Sequence, residues 1–147
     1  MATTFDYPGA TFTQPLGINA AGAVTGLFED SVGVHGFVRD ANGGFSSFDP
    51  LGSSYTVPWS INTSGEVAGF FYGGSAETQG FVRDALGNIT VFTVPNAYVT
   101  TALHINYSAS ITYQMLDQAF PLYGVPSSVI ATASSNSIGL RSIERKN

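Results

Sequence analysis

The chain repeats itself, and this internal repeat restricts its fold more than any other feature. The block Gly17–Gly26 recurs as Ser60–Gly69, and the block His35–Asp40 recurs as Gln79–Asp84. Both copies of the first block contain Ile-Asn followed by Gly-x-Val-x-Gly, and both copies of the second contain Gly-Phe-Val-Arg-Asp. The blocks recur after 43 and 44 residues, respectively. A period of this length in strand-rich sequence is typical of β-propeller arrays.

Each period contains four short strand patterns separated by turn sequences. The repeats cover about residues 5–47, 48–91 and, in part, 92–112. Asn19–Gly22 and Asn62–Gly65 are predicted hairpin turns, in which Asn starts the turn and Gly accepts a positive φ. The sequence therefore predicts an all-β protein built from propeller-like blades of four antiparallel strands.

The C-terminal segment, residues 113–147, differs in character from the repeats. Glycine nearly vanishes there, and serine is frequent. Two explanations remain open: a reading-frame change that left non-homologous sequence, or a divergent capping segment, as terminal repeats often are. Residues 127–147 are expected to be poorly ordered unless a partner covers them.

Both ends of the repeat region predict an unpaired sheet edge. The chain is expected to begin with a lone fourth strand around Phe5 and to stop partway through a third blade near Ile111. Propellers close with about four to eight blades, so one chain is too short to form a ring. We therefore expect a homo-oligomer that closes the ring. A dimer is favoured if residues 113–125 supply the missing third strand, and a trimer is the alternative.

Composition narrows the classes of partner. The net charge is −5, only 10% of residues are charged, and the repeats contain only two basic residues, Arg39 and Arg83. No basic face can neutralise phosphates, so nucleic acid is not an expected partner, and no apolar run reaches the length of a membrane span. The absence of cysteine excludes disulfide and thiolate chemistry. Asp40 and Asp84 are predicted to start turns, and each preceding arginine is predicted to pair with another acid.

These motifs resemble the HAF repeat family of bacterial, predicted extracellular proteins. The family pattern, Gly-Ile-Asn-x-x-Gly-x-Val-x-Gly followed by His-Ala-Phe, matches Gly17–Gly26 and His35–Phe37, and the likeness covers about residues 5–111. The resemblance implies propeller-like blades and an extracellular location, although no signal peptide is visible before the repeats. It implies no reaction, because the family has no assigned catalytic residues.

Acidic residues in the variable loops are the first candidate ligand-binding residues. Glu29, Asp30 and Glu77 follow the second strand of their repeats, where the two copies differ. Variable loops on a constant scaffold often carry binding sites. The carboxylates can supply oxygen ligands to a hard cation or act as acid–base groups. The alternative is that they only keep the surface soluble.

Two aromatic residues are further candidates for ligand binding. Trp59 aligns with Leu16 and Leu103, which favours packing in the core or between blades. Stacking on a sugar ring is the alternative for Trp59. Tyr72, at the end of the second strand of the second repeat, is the other aromatic candidate.

The two histidines have different predicted roles. His35 belongs to the repeat motif and is replaced by Gln79 in the next copy, so a structural hydrogen bond or a packing role is expected. His104 occupies the position of Gly17 and Ser60 on the first strand of its blade. It is the candidate metal ligand, for zinc or manganese, if copies from different subunits converge on the ring axis. The alternative is a solvent-facing side chain.

The sequence favours a non-enzymatic binding or structural module for glycans or other surface polymers. It lacks nucleophile, phosphate-loop and zincin motifs. The competing hypothesis is a promiscuous hydrolase that uses a metal or carboxylates in the channel of the oligomer. Metal analysis with a chelator control discriminates the two.

Overall fold

The computed structural model describes residues 3–74, 77–94, 97–117 and 131–134, and the secondary structure within them consists of strands and turns. The strands in chain order are β1 (Phe12–Ile18), β2 (Val24–Glu29), β3 (Val34–Arg39), β4 (Phe45–Phe48), β5 (Ser53–Ile61), β6 (Val67–Gly73), β7 (Gln79–Arg83), β8 (Ile89–Phe92), β9 (Ala97–Ile105), β10 (Ser110–Asp117) and β11 (Ala131–Ser134). The prediction of an all-β protein is confirmed. The described residues contain no helix that could cross a membrane.

The strands form three antiparallel units that follow the repeat. Unit 1 consists of β1–β4 and unit 2 of β5–β8, each a meander in which consecutive strands pair. Unit 3 contains β9, β10 and β11, paired in that order. A single parallel bridge joins unit 1 to unit 2 between Val34 and Tyr55, and its counterpart joins Thr78 to Val99. Consecutive units are therefore connected in the same way.

The turn after the first strand of each unit is built by an asparagine. The Asn19 side-chain oxygen accepts hydrogen bonds from two backbone amides of its own turn, and Asn106 does the same in unit 3. Gly22 and Gly65 both have a φ of 83°, as the sequence predicted, and Ala109 takes the equivalent position with a φ of 55°. Local turn chemistry thus fixes the sequence of this motif.

The same asparagines link the units, through what we call the asparagine ladder. Nδ2 of Asn19 donates to the backbone oxygen of Asn62 at 2.9 Å. Nδ2 of Asn62 donates to the backbone oxygen of Asn106 at 3.1 Å. Each rung therefore runs from one unit to the next, which places the first strands of the three units side by side.

The core lies between the units, where their sheet faces pack on each other. Val38 and Phe48 of unit 1 pack against a cluster in unit 2 that includes the fully buried Phe81. Val82 of unit 2 lies in one cluster with Ile111 of unit 3. Burying apolar area stabilises at about 25 cal/mol per Å², so these faces hold neighbouring units together.

The arginines pack on aromatic rings. The guanidinium carbon of Arg39 lies 5.0 Å from the ring centre of Phe5, and that of Arg83 lies 5.1 Å from the ring centre of Phe48. Neither arginine forms an ion pair within the described residues. The prediction that each arginine pairs with an acid is therefore wrong. Each guanidinium lies instead over the phenylalanine ring of a Phe-Asp segment.

Both ends of the repeat region differ from their predicted strands. Residues 3–11 form no strand, since a lone fourth strand has no neighbour to pair with, although Phe5 still packs on Phe37 at 6.2 Å between ring centres. The third strand of unit 3 is Ala131–Ser134, outside the predicted range 113–125. β10 crosses the predicted boundary between residues 112 and 113. Apart from β11, the segment 127–147 lies outside the described residues.

Candidate functional site

Unit 2 carries exposed aromatic side chains on neighbouring strands, which we call the aromatic row. Tyr55 and Tyr72 are cross-strand partners, and their rings stack at 4.7 Å with an interplanar angle of 7°. Phe70 precedes Tyr72 by two residues and therefore lies on the same face of the sheet. The ring of Trp59 lies 6.2 Å from that of Phe70. Trp59 and Tyr72 are each 41% exposed.

Trp59 is the extra residue of a β-bulge that recurs at the same position in all three units. Pro58 pairs with Gly69 and Ser60 pairs with Ala68, so Trp59 is an extra residue on β5 without a partner on β6. A bulge redirects the extra side chain and is frequent next to functional sites. The alignment with Leu16 and Leu103 favoured a packing role for Trp59. Leu16 and Leu103 occupy the same bulge and are partly buried, so the alignment did not predict the exposure of Trp59.

Tyr72 of the aromatic row presents a neutral hydroxyl group. Burial, followed by the charge of Tyr55, raises the pKa of Tyr72 above its ordinary value. The Tyr72 hydroxyl is therefore protonated at neutral pH and can donate a hydrogen bond. The row thus combines apolar ring faces with polar edges, an arrangement suited to ligands that have both apolar and hydroxyl-bearing surfaces.

A second cluster surrounds His35 in unit 1. Its Nδ1 lies 2.6 Å from a carboxylate oxygen of Asp49, and its Nε2 lies 3.2 Å from one of Asp30. The other Asp49 oxygen accepts a hydrogen bond from the Thr56 hydroxyl at 2.5 Å. The cluster therefore connects β3, the β2–β3 loop and the crossover from unit 1 to unit 2. The predicted hydrogen-bonding role of His35 is confirmed.

The charges of the cluster favour a protonated His35. Burial opposes the proton, but the hydrogen bonds and charges of Asp49 and Asp30 outweigh it and raise the pKa of His35 above its ordinary value. Backbone hydrogen bonds from Val32 and Gly33 lower the pKa of Asp30, mainly the one from Val32. Asp30 is thus an ionised loop-forming residue, with its oxygen occupied by the loop amides and by His35.

An open cavity of about 380 Å³ adjoins this cluster, lined by Tyr7, Pro8, Gly9, Phe28, Asp30, His35, Ser47 and Asp49. Unit 2 has Gln79 and Thr93 at the positions of His35 and Asp49, so the fold does not require the charged pair. Sequence analysis identified Asp30 and His35 separately. It missed Asp49, because the crossover that brings it to His35 is a tertiary feature.

The remaining candidate residues lie apart from each other. Glu29 is exposed at the end of β2, and Glu77 is exposed in the loop before β7. His104 is exposed on β9, where it pairs with Thr112. No three or more of the described histidines and acids are grouped so as to hold a metal ion. His104 can therefore serve as a metal ligand only with groups from outside the described residues.

Comparisons with protein-family models, with curated proteins and with solved structures found no significant match. The resemblance to the HAF repeat family therefore stays a prediction based on the motifs.

Proposed function

We propose that this protein is a non-enzymatic, extracellular binding module whose units are propeller blades, and that it binds neutral glycan chains along the aromatic row. The observation that carries the proposal is the exposure of Trp59 and Tyr72 on the same surface of unit 2. Exposed aromatic side chains that lie together on a sheet face mark an interaction site more often than isolated ones do.

The geometry of the row fits a polymer of rings. Residues two apart on a strand are separated by about 7 Å, so Tyr72 and Phe70 offer successive contacts along one direction, and Trp59 extends them. Sugar rings have an apolar face of C–H groups that packs on an aromatic ring. Their hydroxyls can bond to the Tyr and Trp polar groups.

The negative net charge of the protein favours neutral polymers over anionic ones as ligands. The chain carries a net charge of −5, and basic residues are rare in the repeats. An anionic polysaccharide would be repelled by this surface. A neutral glycan is not, and its binding is expected to depend little on salt, because no ion pairs form.

Calorimetric titration with soluble neutral β-glucan and xylan oligosaccharides tests the proposal. Trp59→Ala and Tyr72→Ala are each expected to weaken binding by about two- to tenfold, the loss expected for one aromatic stacking contact. Leu86→Ala is the matched control, because Leu86 is 90% exposed on a turn away from the row. Equal binding by all three variants, or binding of anionic but not neutral glycans, would overturn the proposal.

A further inference from the structure

One isoleucine position behaves differently in unit 1 from the other two units. Ile18, Ile61 and Ile105 all precede the turn asparagine of their unit. Ile61 is 7% exposed and Ile105 is 6% exposed, whereas Ile18 is 70% exposed. The residue type is the same, so the difference arises from what lies next to each unit.

The preceding unit buries the two covered isoleucines. Ala23 and Val38 of unit 1 pack against the cluster that contains Ile61. Val82 of unit 2, the repeat equivalent of Val38, lies in the cluster that contains Ile105. No described unit precedes unit 1, so Ile18 has no such cover. An apolar side chain kept at the same position in each unit indicates that the contact is the same each time.

Among the described residues, the asparagine ladder has an unused acceptor in unit 1 and an unused donor in unit 3. The backbone oxygen of Asn62 accepts the rung from Asn19, but the backbone oxygen of Asn19 accepts only the amide of its own turn among the described residues. At the other end, Nδ2 of Asn106 has no acceptor among the described residues. Unit 1 therefore presents an acceptor, and unit 3 presents the matching donor.

We infer that the Ile18 face of unit 1 is an interaction surface for unit 3 of a second copy of this chain. The contact continues the interface that already joins unit 1 to unit 2 and unit 2 to unit 3. Ile18 becomes buried in it, and Asn106 donates to the backbone oxygen of Asn19 of the second copy. The association is head-to-tail, because the two surfaces that meet are different.

Sedimentation velocity from 1 to about 50 μM tests this inference. Wild-type protein is expected to be larger than the 15.4 kDa chain. Ile18→Asp is expected to weaken association by about 100-fold or more, since it buries an unpaired carboxylate. Leu86→Asp is the control, because it adds the same charge at another exposed apolar residue, and it should associate as the wild type does.

A pair of isosteric variants tests the direction of the ladder. Asn106→Asp keeps the side-chain oxygen that forms its turn but replaces the donating amide by a charged acceptor, so it should fold normally and associate about tenfold more weakly. Asn19→Asp removes a rung within the chain but keeps the acceptor offered to the second copy. It should lower the melting temperature and leave association unchanged.

Mixing the two association-deficient variants separates head-to-tail from symmetric contact. Ile18→Asp has an intact unit 3 and Asn106→Asp an intact unit 1, so the mixture should form complexes larger than either variant alone. No recovery on mixing would overturn head-to-tail contact. A monomeric wild type, or unchanged association of Ile18→Asp, would overturn the inference. A monomer with Ile18 protected from solvent would instead assign the face to the chain's own C-terminal segment.

Discussion

Ala109 sits in a backbone conformation for which the other two units use glycine, so Ala109→Gly should stabilise the protein. Its φ is 55°, against 83° for Gly22 and Gly65. An L-residue in the left-handed region costs about 1–2 kcal/mol. Glycine removes this cost, but it also destabilises the folded state by about 0.4–1 kcal/mol, because it raises the entropy of the unfolded chain. We expect a net gain of about 0.5–1 kcal/mol, or roughly 1–4 °C in Tm for a chain of this size.

The reverse substitution in unit 2, Gly65→Ala, should destabilise by a similar amount. A Cβ at Gly65 would lie 3.7 Å from the Cβ of Ala85, an ordinary contact, so the cost comes from the backbone alone. Gly69→Ala is the contrasting case, because its Cβ would clash with the backbone oxygen of Val57. That clash cannot relax without moving a strand, and the loss should exceed that of Gly65→Ala.

Urea unfolding at a fixed protein concentration measures these effects, with equal m values confirming that only stability has changed. Ser108→Gly is the matched control in the turn of Ala109. Ser108 has no positive φ, so glycine there should destabilise by about 0.4–1 kcal/mol. The reasoning fails if Ala109→Gly is no more stable than Ser108→Gly, or if Gly65→Ala unfolds at the wild-type urea concentration.

Three further predictions concern side chains. His35→Gln removes the pairing with Asp49, and the folded-state pKa of His35 is raised. The wild type should therefore have a higher Tm than the variant, by the full difference below about pH 6.5 and by less as pH rises through the folded-state pKa. A difference in Tm that grows with pH would contradict this. Arg83→Met should change stability by less than about 1 kcal/mol, since the side chain covers the Phe48 ring and makes no ion pair among the described residues, whereas Arg83→Ala should cost more in the same melts. His104→Ala should shift stability by less than about 0.5 kcal/mol, because His104 is exposed; loss of stoichiometric zinc or manganese together with a chelator-sensitive hydrolase activity in this variant would favour the enzyme hypothesis over the binding module.

The strands and turns were predictable because their causes are local. Four strand patterns were predicted in each period, and β1–β4 and β5–β8 confirm that number in units 1 and 2. Positive φ at Gly22 and Gly65 follows from hairpin chemistry alone. The structure confirms these elements because the physical reason for each lies within a few residues of sequence.

The contacts between units were harder to predict from the sequence than the strands and turns. The turn role of Asn19 was predicted, but not its rung to Asn62, since the acceptor lies 43 residues away. The contact between His35 and Asp49 was not predicted either, because the crossover from unit 1 to unit 2 brings them together. The exposure of Trp59 was also not predicted, because Leu16 and Leu103 occupy the same bulge and are partly buried. For Asn19 and His35 the deciding partner lies in another unit or in the crossover between units.

The asparagine ladder also predicts the order in which the three units unfold. The bridges, ladder rungs and shared core clusters described above join consecutive units, so stability is close to a sum of unit and interface terms along a line. Asn62 is the one ladder residue with a rung on each side, and it is the most buried of the three. In the dissociated chain, amides of unit 2 should therefore exchange with solvent most slowly, while units 1 and 3 open first. The centre of the array, and not either terminus, is where global unfolding is measured.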